Sequence, residues 1–232
     1  FKNFRGELRV NGNMLTTTTT VYWTSKARPK PMGEDGGISF SLISFIECNE
    51  VEVSGNNTSD TISQAFISYY ASDFSGNTRF IVKDNVNMYG PAFLIAKSTN
   101  GGSTIRVNGN DIRGAGSGSI YYSVITGFGD ADFSNNSQRL TMTDSIGCII
   151  ADSLNVNHTN NVVQPSSQYG TGVLFENCQD VITSNTAIRR LTGSGAFHIR
   201  GERGSILKCF EPFSTISIDE TSSASVAQIS YS

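Results

Sequence analysis

Charge is the first thing this 232-residue chain has little of. Only 16% of its residues are charged, 17 Lys+Arg against 20 Asp+Glu, for a net charge of −3, where an average globular domain is about a quarter charged. A surface held to nucleic acid by phosphate neutralisation, or to anionic lipid by a polybasic patch, needs an excess of cations. No nucleic-acid partner is expected. No apolar stretch can span a bilayer, because the longest, from Ile38 to Ile46, is interrupted by three serines, so no membrane insertion is expected either. The four cysteines, Cys48, Cys148, Cys178 and Cys209, form no C-x-x-C pair, and each lies in or beside an apolar run. They read as buried thiols with no metal site, while disulfides stay open. Apolar residues at helical spacing are absent, which excludes a doubly wound α/β fold. No cofactor is called for. The chain opens on Phe1, not Met, as a processed or partial chain would.

What the chain has in abundance is turn and strand formers. Its 31 Ser, 21 Thr, 20 Asn and 23 Gly make up about two residues in five. The 38% of apolar residues is spread evenly along the chain, which supplies a core and argues against disorder.

A short phrase recurs: apolar, any, apolar, two polar residues, Asn. It reads Leu8-x-Val10-x-Gly12-Asn13, Val51-x-Val53-x-Gly55-Asn56, Phe80-x-Val82-x-Asp84-Asn85, Ile105-x-Val107-x-Gly109-Asn110, Ala131-x-Phe133-x-Asn135-Asn136 and Leu154-x-Val156-x-His158-Thr159, with a seventh ending at Val181-Ile182-Thr183-Ser184-Asn185. The final positions are 43, 29, 25, 26, 23 and 26 residues apart, a solenoid period with insertions in its first turns. Alternation predicts a short strand with two apolar side chains on one face. The residue before Asn is mostly of a type that tolerates the left-handed region, which predicts a bend there, and this reading puts His158 in that slot. Asn at the bend can hydrogen-bond its own turn and the Asn one coil away.

A looser phrase lies midway: Gly90-Pro91-Ala92-Phe93-Leu94-Ile95, Ser119-Ile120-Tyr121-Tyr122, Gly147-Cys148-Ile149-Ile150, Gly172-Val173-Leu174-Phe175 and Gly195-Ala196-Phe197-His198-Ile199. It predicts a second strand per coil. Strands stacked from coil to coil are parallel and bury one continuous face. The expected fold is all-β, a right-handed parallel β-helix of about seven to nine coils over residues 1–210, with residues 211–232 as a C-terminal cap or trimerisation tail. The strands ending at Val10, Val53, Val82, Val107, Phe133, Val156 and Ile182 are expected to stack in one sheet, with Ile81, Leu174 and Val181 facing outward.

The stretches from Phe45 to Asn56 and from Gly172 to Asn185 resemble the coils of right-handed parallel β-helix proteins of the pectate-lyase-like superfamily. The Asn-rich turns, irregular coil lengths and Ser/Thr-rich tail are most similar to bacteriophage tailspike and tail-fibre proteins. That resemblance implies a homotrimer in the virion tail, or a secreted or cell-surface setting, with other virion tail proteins and a bacterial cell-surface polysaccharide as partners. It implies glycan binding and leaves open whether the glycan is also cleaved, by hydrolysis or lysis, or whether the chain is a non-catalytic receptor-binding or structural fibre segment. The Asn-Thr-Asp, Asp-Asp, Gly-His-Gly and Arg-Ile-Lys set of polygalacturonase-like hydrolases is missing, as is the acidic cluster of calcium pectate lyases.

Glycoside hydrolysis needs an acid and a base or nucleophile roughly 5 to 9.5 Å apart, a separation that neighbouring coils can deliver. Asp152 and Glu176 follow the second strand on consecutive coils and form the candidate catalytic pair. Trp23, Tyr70, Tyr121, Tyr122 and Arg106 are the candidate sugar contacts. In each Tyr-Tyr pair, alternation sends one ring inward to the core. Arg106 and Asp132 are expected to form a cross-strand ion pair. The groove is expected near the two largest insertions, residues 16–37 and 57–79.

Overall fold

Backbone groups in a chain this rich in Asn and Gly must be paired without helices, and in the computed structural model they are paired between coils. The structure describes residues 1–15, 28–61, 65–72, 76–89, 92–113, 121–140, 145–165, 170–184, 186–188, 197–200, 206–210, 216–218 and 226–229. Among these every strand pairing is parallel, and three sheets run along a β-solenoid. The first sheet stacks Glu7–Asn11, Glu50–Ser54, Arg79–Lys83, Thr104–Asn108, Asp130–Ser134, Asn155–Thr159, Asp180–Ser184, Ile206–Phe210 and Val226–Ile229 in that order. The third does the same from Ser41–Ile46 through Ala65–Ala71, Leu94–Ser98, Tyr121–Thr126, Ser145–Ala151 and Gly170–Glu176. No helix among the described residues is long and apolar enough to cross a membrane.

A further strand per coil was hidden in the sequence. The second sheet runs from Met14–Leu15 through Asn57–Thr61, Val86–Tyr89, Asp111–Arg113, Ser137–Leu140 and Val162–Pro165. Its inward column is Thr58, Asn87, Ile112, Gln138 and Val163, all buried, and its polar members mask the alternation. They are partly paired inside: Thr58 Oγ1 donates to Asn87 Oδ1 at 3.3 Å and Gln138 Nε2 to the Gly147 carbonyl at 3.0 Å, while Asn87 Nδ2 and Gln138 Oε1 are buried without a partner. Within 57–79, Asn57–Thr61 and Ala65–Ala71 are coil strands and not part of a large insertion.

Inside the first sheet two columns run side by side. One is Leu8, Val51, Phe80, Ile105, Ala131, Val156 and Val181; the other is Val10, Val53, Val82, Val107, Phe133, His158 and Thr183. The sixth and seventh phrases thus sit two residues and one residue, respectively, later than the sequence spacing suggested. Val156 opposes Ala131, not Phe133, and Val181 points into the core while its neighbour Ile182 is 41% exposed. Leu174 lies on the outer side of the third sheet but is 6% exposed, packed with Val124, Ile149 and Ala151.

His158 correspondingly leaves the turn slot, which Asn160 takes at φ 55°, and becomes a core residue. Its ring stacks on Phe133 at 5.5 Å and meets Phe175 edge-on at 6.0 Å. The left-handed bend itself is as the sequence implied, at Gly12, Gly55, Asp84, Gly109 and Asn135.

The residue after each bend builds the spine of the fold. The backbone N–H groups of Asn13, Asn56, Asn85, Asn110 and Asn136 each donate to Oδ1 of the ladder Asn one coil further on, at 2.9–3.0 Å. Their Nδ2 groups donate to the same oxygens at 2.8–3.2 Å. From Asn56 to Asn161, Nδ2 also donates back to a strand carbonyl of the coil before, namely that of Val10, Val53, Val82, Val107 and Phe133. The sequence expectation of stacked Asn side chains holds from Asn13 to Asn136; the sixth member is Asn161, in place of Thr159.

Two predictions follow from this packing. Asn110→Ala removes an acceptor from two donors of Asn85 and a donor from the Val82 and Asn108 carbonyls. With about 1–3 kcal/mol for each buried group left unsatisfied, urea unfolding should show a loss of at least about 3 kcal/mol. Burial pushes the His158 imidazole down to about 3, whereas the unfolded chain protonates it near pH 6.5. Its contribution is therefore complete above pH 6.5 and declines as pH falls toward 3, by up to about 1.4 kcal/mol per pH unit. Between pH 6.5 and 4.5 the wild type should lose about 2 kcal/mol more stability than His158→Phe, measured by urea titration at each pH.

Candidate functional site

Outward side chains of stacked parallel strands form rows with a step of about 4.8 Å, and two surfaces of the solenoid gather polar rows. The first is the outer face of the first sheet. Here Thr104, Asp130, Asn155 and Asp180 run beside Arg106, Asp132, Asn157 and Ile182 and line a shallow trough of about 360 Å³. The rows are cross-linked along the axis: Asn155 Nδ2 donates to Asp130 Oδ1 at 2.8 Å and Asn157 Nδ2 to Asp132 Oδ1 at 3.3 Å. Arg106 and Asp132 are direct register partners as expected. The Asp132 carboxylate nevertheless accepts from Asn157, not from the Arg106 guanidinium, so the expected ion pair is absent and Arg106 projects into solvent over the trough.

The second surface is the rim of the third sheet, where Ile46, Tyr70, Lys97, Thr126, Ala151 and Glu176 share one outward row. The segment 28–37 lies over this row. Met32 N–H donates to Ser68 Oγ at 2.8 Å, Lys97 Nζ contacts Glu34 Oε1 at 2.6 Å, and Arg28 ion-pairs with Glu176. A turn at Gly33 and Gly36, both at positive φ, lets this segment double back, with Gly37 N–H donating to the Glu34 carbonyl at 2.8 Å. Arg28, Lys97, Thr126 and Asp152 line the resulting cleft of about 230 Å³. Segment 28–37 of the first insertion borders this cleft; residues 16–27 and Trp23 lie outside the described residues.

Asp152 and Glu176 are brought to this rim together. Ala151 pairs with Glu176, and Asp152 N–H donates to the Glu176 carbonyl at 2.9 Å. Asp152 is also a corner residue, at φ 51°, in the same left-handed position as Glu47, Gly127 and Asn177 on other coils. Its Oδ1 accepts from Asn177 Nδ2 at 3.2 Å. Glu176 is half-buried and held by the Arg28 guanidinium. Asp152 thus lines the cleft and is engaged by an amide, while Glu176 stands beside it and is engaged by the Arg28 cation.

Of the tyrosines, Tyr70 lies on the rim; partial burial and the Glu47 and Glu34 carboxylates push its phenol above the ordinary value. Its neighbour Tyr69 is core, stacked on Phe80 at 4.3 Å and donating to the Cys48 carbonyl at 2.9 Å. Tyr121 is half-exposed and packs against the outer apolar cluster. Tyr122 is 1% exposed inside the main core and presents no ring to a ligand, being the inward member of its Tyr-Tyr pair. Lys97 and Thr126 escaped the sequence reading. Aligning the third-sheet strands on their inward residues would have put both in the Tyr70 to Glu176 row.

Among the described residues no three His, Cys, Asp or Glu side chains are grouped to hold a metal ion. Cys48, Cys148 and Cys178 are free, buried thiols, and desolvation pushes the Cys178 thiol up to about 12. A protonated, buried thiol is a poor nucleophile, so brief alkylation of the native protein followed by peptide mass spectrometry should leave these three unmodified, and alkylation in urea should label all of them.

No family model matches the chain, and neither the curated proteins nor the solved structures contain a match.

Proposed function

We propose that this chain is a glycan-binding β-helix of the tailspike or tail-fibre kind, which holds an extended bacterial surface polysaccharide along the outer face of its first sheet. The observation that supports this is the trough over Thr104 to Ile182, where Arg, Asp and Asn side chains repeat at the rung step along the solenoid axis. That step is comparable with the length of one pyranose in an extended glycan. Carboxylate and amide groups at each rung can then meet successive sugar hydroxyls, while exposed Ile182 offers an apolar patch to a ring face. In this reading the chain works as a homotrimer in a virion tail beside other tail proteins.

Calorimetric titration with capsule and O-antigen preparations tests it. Binding to one preparation, weakened at least tenfold by Asp132→Ala or Asn157→Ala with melting unchanged, is the expected outcome; absence of binding to any preparation overturns it.

A second reading, cleavage of the glycan, is favoured by one observation: Asp152 lines the cleft, and Glu176 on the next coil is paired with Arg28, which lines it too. In that case new reducing ends, or unsaturated uronates for a lyase, appear with time and vanish in Asp152→Asn and Glu176→Gln. Tight binding with no new ends leaves the non-catalytic adhesin.

A further inference from the structure

Charge sorts the ligands that the trough on the first sheet accepts, and the inference drawn from it rests on the glycan reading of that trough. Among the described side chains lining it, Asp130, Asp132 and Asp180 are carboxylates and Arg106 is the one cation. Asp130 and Asp132 each accept one amide hydrogen, from Asn155 and Asn157, and keep lone pairs to spare. Asp180 is exposed, and its carboxylate has no partner among the described residues. Arg106 pairs with none of the three.

A carboxylate accepts and never donates, so a ligand group over these rungs must be a donor. A sugar hydroxyl qualifies, but an ammonium adds opposite charge, and charge-assisted hydrogen bonds are the shorter and stronger kind. A uronate or phosphate in the same place would bring like charge to a trough that is already negative, and juxtaposed like charges are how wrong partners are rejected.

Spacing narrows the class further. Asp130 and Asp180 stand in one outward column with Asn155 between them, two rungs apart, or about 9.6 Å along the axis at about 4.8 Å per rung. In an extended β-linked glycan successive pyranoses face opposite ways, so one edge of the chain shows the same substituent on every second sugar, at nearly that interval. The amide rung between the acids both donates and accepts, which suits the hydroxyls of the intervening sugar. Arg106 lies one rung before Asp132, where it donates to a hydroxyl or ring oxygen, and Ile182 closes the far end with an apolar surface.

We propose that the glycan this trough takes carries free amino groups, held as ammonium by Asp130 and Asp180 on alternate rungs with Asp132 beside the first, and that polyanionic glycans are excluded.

Three hexasaccharides test this: a glucosamine hexamer, the same chain fully N-acetylated, and a galacturonate hexamer. In calorimetric titrations at low salt and about pH 6, where an amine is largely protonated, the glucosamine hexamer should bind at least tenfold more tightly than its N-acetylated form. The galacturonate hexamer should not bind. Asp130→Asn and Asp180→Asn should each weaken the glucosamine hexamer at least fivefold and flatten its salt dependence, with melting unchanged. Glu50→Gln, in the same outward column but outside the trough, should leave binding as it is. Hexalysine, a cation of similar length with no sugar rings, should bind at least tenfold more weakly than the glucosamine hexamer. Equal binding of hexalysine or of the N-acetylated hexamer overturns the proposal, as does binding indifferent to both Asp→Asn changes. If a capsule or O-antigen preparation binds in an Asp132-dependent manner while the glucosamine hexamer does not, the amino class falls and the glycan reading stands. If no hexamer and no preparation binds, both fall.

Discussion

The stacked asparagines are the constraint on which the rest of the molecule depends. A solenoid corner must turn the backbone sharply while remaining inside a dry column, and such a turn orphans N–H and C=O groups with no sheet neighbour to receive them. One residue type solves this on the coils from Asn56 to Asn136: the Asn amide accepts from the rung before, donates to the rung after and returns a second hydrogen to a strand carbonyl. Because each Asn is both donor and acceptor for the next, the ladder is a network in which one member cannot be replaced without stranding groups on two coils. It also fixes register, since a slip of one residue would carry the Asn out of line and reverse every core side chain.

Fixed register is what makes the surface usable. Once the ladder sets which residue opposes which, outward positions become rows whose composition the sequence is free to choose. On the first sheet the row from Arg106 through Asp132 and Asn157 to Ile182 changes character at each rung. On the third, the row from Tyr70 through Lys97 to Glu176 is polar enough to hold segment 28–37 by ion pairs. Such pairs are weak stabilisers where solvent reaches them, and here the acid partners are mostly shielded.

Much of this could be read from the chain, and the errors have physical causes. The first sheet and its bends were legible because Gly, Asp or Asn precedes Asn at a steady interval and β-branched or aromatic residues alternate before it. The sixth phrase was misplaced because Leu154, exposed by 47%, imitates an inward apolar residue, whereas the true inward residue, His158, is polar by type and buried by stacking. With Asn161 and Thr186 in the ladder column the last two spacings become 25 and 25 residues, so the period itself held the correction. The second sheet was invisible for a related reason: Thr58, Asn87 and Gln138 face inward although polar by type, and a periodicity search reads such positions as surface. Among the candidate site residues, adjacency of Asp152 and Glu176 followed from coil spacing. Engagement of Glu176 by Arg28 did not, because a loop 148 residues away in sequence supplies the cation.

Asp152 shows why residue type alone discriminates poorly in this architecture. Left-handed corners favour Gly, Asn and Asp, and on this rim the corner column is Glu47, Gly127, Asp152 and Asn177. A carboxylate there satisfies a backbone demand before it performs any chemistry, and an amide on the next coil already occupies one of its oxygens. Glu176 is different: it sits at the end of a strand, where extended backbone accepts any side chain, and nothing about the corner requires an acid. Its ion pair with Arg28 joins the strap to the sheet, so a functional assignment gains more from the strand-end residue than from the corner residue beside it. On a solenoid, the positions where chemistry can be inferred are those the turn geometry leaves unconstrained.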